Sequence, residues 1–171
     1  MTLGFKTKWP DGRETHFPEK ILEGLLRFRF IDRMDWYEVL KNSPYKNYSL
    51  DSFNRKIHTI RADEHDRWKP GMNIHFMTGV RTKKAYRFAP IVPVVSVQRI
   101  EIKLMLMAST DHCWVSNDKI FKVLIDGRAL KKTEIVRLAS NDGFLLTSEF
   151  FEWFGYQDFT GKLIHWTDKR Y

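Results

Sequence analysis

From residue 56 to residue 125 the chain is a series of short β-forming runs, each cut off by turn chemistry, with no regular alternation of strand and helix. Lys56 to Arg61 alternates and is β-branched, Asn73 to Thr78 makes the next strand, and Tyr86 to Ile91 is extended. Val94 to Met107 carries two or three strands' worth of β-formers, and Trp114 to Ser116 and Ile120 to Ile125 flank Asn117-Asp118. Lys69-Pro70-Gly71 and Asp126-Gly127 are turn sequences, because Pro presets φ and Gly accepts positive φ. Helical spacing is confined to the two ends. Ile21, Leu22, Leu25 and Leu26, with Pro18 suited to a first turn, predict a helix over Pro18 to Arg27. Ile135, Leu138 and Ala139 predict a second, stopped by Asn141-Asp142-Gly143, and Ser148 to Phe154 a third with Thr147 as N-cap. Phe5 to Trp9, closed by Pro10-Asp11-Gly12, and Leu163 to Trp166 predict outer strands. Such a pattern predicts an α+β fold with a mainly antiparallel, closed sheet and flanking helices. Residues 27–53 are aromatic-rich and resist assignment apart from a helical turn at Asp35 to Leu40.

A length of 171 residues with 43% hydrophobic content is enough to fill one core, so a single domain over 1–171 is expected. No stretch approaches the roughly 20 apolar residues that span a bilayer, so no membrane partner is expected. The N-terminus has no apolar run of signal-peptide length, which makes a cytoplasmic location the expectation. The lone Cys113 excludes an intramolecular disulfide and a cysteine zinc cluster. Its neighbour His112 points to the opposite face of a strand, so Cys113 reads as a structural thiol. His58, His65 and His75 lack ligand spacing with a carboxylate; no metal and no cofactor are predicted.

The net charge of +8 favours polyanionic partners, and the excess is local: Arg55 to Arg87 contains nine Lys or Arg and three acids. Arg67-Trp68-Lys69 and Lys83-Lys84-Ala85-Tyr86-Arg87 interleave cations with aromatics, a pattern suited to phosphate contact and base stacking worth about 1 to 3 kcal/mol per base. The competing reading is a solvated loop with Trp68 in the core. The candidate nucleic-acid-binding set is Arg55, His58, Arg61, Arg67, Trp68, Lys69, Lys83, Lys84 and Arg87. Phe150, Phe151, Trp153 and Phe154 share a helix face and read as core.

Ile21-Leu22-Glu23-Gly24, then Arg55-Lys56-Ile57-His58-Thr59-Ile60-Arg61, Arg67 to Met72, Leu138 to Phe144, Glu149 to Phe154 and Gly161 to Trp166 occur in an order that resembles the ASCH family. In that family the first two motifs join directly, so residues 25–54 resemble an insertion. The resemblance implies a PUA-like, mostly antiparallel β-barrel with flanking helices and a cleft associated with RNA or modified-nucleoside recognition. It also implies likeness to a small branch that hydrolyses N4-acetylcytidine with a Lys, a Thr and a Glu. Lys56 and Thr59 match the first two; Asp142, one methylene shorter, stands at the third.

In such a trio Thr59 attacks the amide carbonyl, Lys56 with a lowered pKa assists proton transfer, and the carboxylate holds or relays the proton, while Arg61 polarises an oxygen or binds phosphate. A regular strand sends Lys56 and Thr59 to opposite faces, so a bend is required. The bland alternative makes Lys56 and Arg61 surface charges and Thr59 an ordinary β-former. Two functional readings stay open: an RNA- or nucleotide-binding module with a basic cleft, and a small amidohydrolase of N4-acylated cytidine-type nucleosides. A protein-interaction module using the aromatic insertion is a third.

Overall fold

The computed structural model describes residues 1–41, 55–106 and 111–171. Tyr45, Tyr48 and the end of the 25–54 segment lie outside the described residues.

The described residues form a mixed α and β structure with four helices and mostly antiparallel sheets. Strand β1 (Thr2–Phe5) pairs in parallel with β3 (Asn73–Thr78), the one parallel pair among the described strands. β3 then pairs antiparallel with the two-residue strands β4 (Tyr86–Arg87) and β5 (Val92–Pro93). The larger sheet runs β2 (His58–Arg61), β10 (Phe159–His165), β6 (Ser96–Met105), β8 (Lys119–Ile125) and β7 (Cys113–Ser116), with β9 (Arg128–Ala129) on β8.

The described strands form two sheets rather than one closed barrel. Two seams nevertheless join them. At one, Val94 N–H donates to Met72 and Val95 N–H donates to His165, so consecutive residues are shared between sheets. At the other, β1 and β2 are both edges, and the Arg61 side chain spans the gap by donating to the Gly4 carbonyl at 2.7 Å. A side chain here satisfies an edge carbonyl that a neighbouring strand otherwise takes.

Several boundaries differ from expectation. The first strand ends at Phe5 instead of starting there, and Trp9 closes the turn by accepting from Gly12 N–H. Val94 to Met107 yields one long strand, β6, because it pairs with β10 over Ser96 to Ile102 and with β8 over Ile100 to Met105, and Asp126 accepts from Arg99 N–H where the second ladder begins. Helix α1 (Phe17–Arg27) matches its prediction, and the expected turn at Asp35 to Leu40 is a full helix, α2 (Arg33–Lys41). Helices α3 (Lys132–Asn141) and α4 (Thr147–Trp153) are started by glutamates that reach back to backbone N–H groups. Glu134 accepts from Lys131, and Glu149 accepts from Leu145 and Leu146, so Thr147 is the first helical residue rather than the cap.

The core is aromatic. Trp166, Phe76, Phe88, Phe121, Phe150 and Phe151 are fully buried, each contributing about 1.5 to 3 kcal/mol. Phe121 and Phe151 stack at 4.4 Å, which docks α4 on the large sheet. α1 is buried along residues 17–25, polar side chains included, because it is packed against the 56–57 segment as well as the core. A Cβ on Gly24 would sit 2.7 Å from the Lys56 carbonyl oxygen, so glycine is what permits this approach. The two motifs that the sequence separates by 25–54 therefore abut in space.

Candidate functional site

The segment before β2 is not strand. Lys56 N–H donates to the Lys20 carbonyl and Ile57 N–H to the Asn141 carbonyl, which suspends the backbone between α1 and the end of α3. An isolated bridge then pairs Lys56 with Asp142. The backbone bends here and sends Lys56 inward, without bringing Thr59 to it. Its ammonium donates to Asp142 Oδ1 at 2.5 Å and to the Asp142 carbonyl at 2.7 Å, with both side chains almost fully buried. The Phe17 ring lies 4.6 Å from Nζ and Phe144 lies 6.0 Å away, so aromatic faces replace water around the charge.

Lys20, unassigned in the sequence, completes the cluster by donating to the Gly143 carbonyl at 2.7 Å. Gly143 has φ 88°, and a Cβ there would meet Lys56 Cβ at 3.2 Å and Lys20 Cδ at 3.4 Å. The turn after α3 thus brings one carboxylate to two lysines. A signal was present: Lys20 and Gly24 are one helical turn apart and share a face. His58 Nε2 lies 3.9 Å from Asp142 Oδ1, and its ring meets His165 at 5.3 Å and Tyr171 at 5.6 Å.

Burial dominates the ionisation of every member. It pushes Lys56 down to about 8 despite the opposing pull of Asp142. Asp142 moves up for the same reason, against the attraction of Lys56, Arg61 and Lys20. The two titrate as one coupled pair, and for both the low dielectric favours the neutral form. Burial also lowers Lys20 and Arg61, holds His58 well below its ordinary value, and takes His165 down to about 4.

Thr59 is buried and pairs with Ile164 in the β2–β10 ladder. Among the described residues it makes no hydrogen bond to Lys56 or Asp142, and strand alternation gives it the face of Arg61 instead. The structure therefore brings Lys56 and Asp142 together and leaves Thr59 in the strand without a hydrogen bond to either.

Beside Arg61 opens a cleft of about 530 Å³, walled by Trp9, Trp153, Phe154 and Phe159 and reached by Lys6 and Arg61. Lys56, Thr59 and Asp142 do not line it. Arg61 is the link between the buried pair and the open cleft: its guanidinium stands 4.8 Å over Phe5, one nitrogen serves Gly4, and Nε is buried with no acceptor among the described residues.

The remaining candidates fall into three groups. His58 is fully buried and Trp68 is 4% exposed, so neither presents a ring to a ligand at the surface; the reading of Trp68 as a stacking platform gives way to a core residue. Arg55, Arg67 and Lys69 are exposed but engaged, with Glu23, Asp63 and Asp66 respectively. Asp66 also takes Lys162 at 2.8 Å, and these hydrogen bonds hold its carboxyl down to about 2. Lys83, Lys84 and Arg87 are exposed. The cleft walls Trp153 and Phe154 were read as core, and they are half-buried: one side packs while the other faces the cleft.

No group of three metal-binding side chains occurs among the described residues, and no helix among them is long and apolar enough to cross a membrane. The chain matches no family model, no curated protein and no solved structure.

Proposed function

We propose that this protein is an ASCH-type, PUA-like module that binds RNA or a nucleotide in the cleft beside Arg61. The observation that carries the reading is Arg61 itself: a guanidinium that lines a cleft with aromatic walls and has no carboxylate within ion-pair distance among the described residues. A ligand oxygen in the cleft supplies a charge-assisted partner for it. The exposed cations Lys83, Lys84 and Arg87 add the long-range field that draws a polyanion in. Support for the ASCH likeness comes from Gly24 abutting Lys56, the join that the family's adjacent motifs require. Affinity for a short RNA, measured from about 50 to 200 mM salt, falls steeply in this reading. Arg61→Gln lowers it further, and affinity indifferent to both salt and Arg61 refutes the proposal.

A second reading is favoured by a separate observation, the buried Lys56–Asp142 contact at 2.5 Å. A lysine brought down to about 8 next to a raised carboxyl is a proton-transfer pair suited to an amidohydrolase of N4-acylated cytidine-type nucleosides. Thr59 is the nucleophile in that mechanism, and the substrate must reach it past Arg61. Incubation with N4-acetylcytidine decides the matter. Product that disappears in Lys56→Ala and Thr59→Ala supports hydrolysis; no product leaves the binding role alone.

A further inference from the structure

The four ionisable side chains that line the cleft are not equivalent. Its two carboxylates are both turned onto Arg13, which donates from Nε to Asp11 at 2.6 Å and from Nη2 to Glu152 at 3.1 Å. Lys6 and Arg61 have no carboxylate within ion-pair distance among the described residues. Behind Arg61 the imbalance deepens, since Asp142 is the carboxylate nearest to Lys56, which holds it, and also attracts Lys20 and Arg61. The Arg61 side of the cleft is therefore a cationic corner without its anion. Lys6 enters the cleft two residues beyond Gly4, whose carbonyl anchors Arg61, and its ammonium stands 5.6 Å over the Trp153 ring, so it is the cation that reaches the aromatic wall.

The aromatic wall is held in place by its own packing. Trp153 is fixed edge-on by Trp9 at 5.1 Å and 85° and by Phe17 at 5.1 Å and 81°, which holds its ring in one orientation, while Phe154 is packed between Phe150 and Phe159. Rigid aromatic planes stack planar heterocycles without losing side-chain freedom. A volume of about 530 Å³ is that of a single small-molecule site rather than a track for a strand.

Resting on the nucleotide-binding reading, we propose that the cleft takes a nucleoside 5′-monophosphate group, with its phosphate at Arg61 and Lys6 and its base against Trp153 and Phe154. A terminal phosphate carries up to two charges and three open oxygens, which suits two unpaired cations better than the single charge of an internal phosphodiester. The group arrives either as a free mononucleotide or as the phosphorylated 5′ end of RNA.

Calorimetric titration of the full chain with cytidine 5′-monophosphate, cytidine, and a short RNA with and without a 5′ phosphate separates these cases. Cytidine 5′-monophosphate binds roughly 10- to 100-fold tighter than cytidine, the range expected for charged hydrogen bonds to phosphate. Lys6→Gln, at an exposed position, reduces that preference about threefold or more, and Arg61→Lys, which keeps the charge but loses the fork, reduces it about tenfold. Tighter binding of the free monophosphate, or of the phosphorylated RNA end, supports the proposal and names the source. Equal affinity for monophosphate and nucleoside, or a preference that both variants leave intact, overturns it. Where the monophosphate shows no such preference, RNA bound equally with and without its 5′ phosphate leaves the wider nucleic-acid reading standing, and binding of none of these ligands removes both.

Discussion

Removing either partner of the buried Lys56–Asp142 pair should give stabilities that move in opposite directions with pH. In Asp142→Asn the ammonium of Lys56 loses its counter-charge while staying almost fully buried. Its cost has a ceiling, because the group can shed its proton. Taking a lysine from its ordinary 10.5 to neutral at pH 7 costs at most about 5 kcal/mol, at about 1.4 kcal/mol per unit. In Lys56→Met the carboxylate is left, and protonating a group of ordinary value 3.8 at pH 7 costs at most about 4 kcal/mol. Arg61 and Lys20 still attract Asp142 and reduce that second figure. The signs follow from proton counting. For a buried Lys the unfolded state binds more protons below 10.5, so Asp142→Asn gains stability as pH rises, by up to about 1.4 kcal/mol per unit. For a buried Asp the folded state holds the proton longer, so Lys56→Met loses stability as pH rises above 3.8. The double variant Lys56→Met with Asp142→Asn removes both dependences and recovers much of the loss, as replaced buried pairs often do. Urea unfolding of parent, singles and double from about pH 5 to about pH 9 reads all four slopes. Two single variants with the same slope, or slopes no different from the parent, refute the claim that these charges are buried together.

Three further outcomes follow from packing and burial. Gly24→Ala puts a methyl 2.7 Å from the Lys56 carbonyl oxygen, forcing α1 off the site; a loss of about 1 to 3 kcal/mol in urea unfolding is expected, and an unchanged midpoint refutes the close approach. Trp68→Ala empties a core position and costs about 3 to 5 kcal/mol, whereas a base-stacking residue at the surface would leave stability untouched and cut RNA affinity. His165, held down to about 4 by burial, makes the native state lose up to about 3 kcal/mol as pH falls from 6.5, because the unfolded chain takes up a proton first. His165→Gln, which keeps a polar partner for Gln98, should flatten that acid limb, and an unaltered limb means another group sets it.

Where residue type alone decides conformation, the structure follows the sequence closely. Pro18 and the Ile21, Leu22, Leu25 spacing give α1, and Asp126-Gly127 closes its hairpin with positive φ at both residues. Boundaries differ where a specific side-chain hydrogen bond decides them, as with Glu149 capping α4 in place of Thr147. The candidate site was legible as a set of residues and not as a geometry. The alternation rule sets Thr59 with Arg61, but the inward turn of Lys56 depends on hydrogen bonds to Lys20 and Asn141, partners that no local pattern names. Lys20, Lys6 and the cleft walls went unread because a cation on a helix or an aromatic in a core stripe looks the same whether or not a cavity opens beside it.

The account turns on a nucleotide entering beside Arg61, and amide chemical-shift mapping during titration with cytidine 5′-monophosphate locates the ligand directly. The largest shifts are expected at Ile60 to Ala62 and Trp153 to Gln157, two stretches that line the cleft. Shifts confined to the exposed turn from Arg81 to Arg87, with the cleft residues unmoved at saturation, would contradict it.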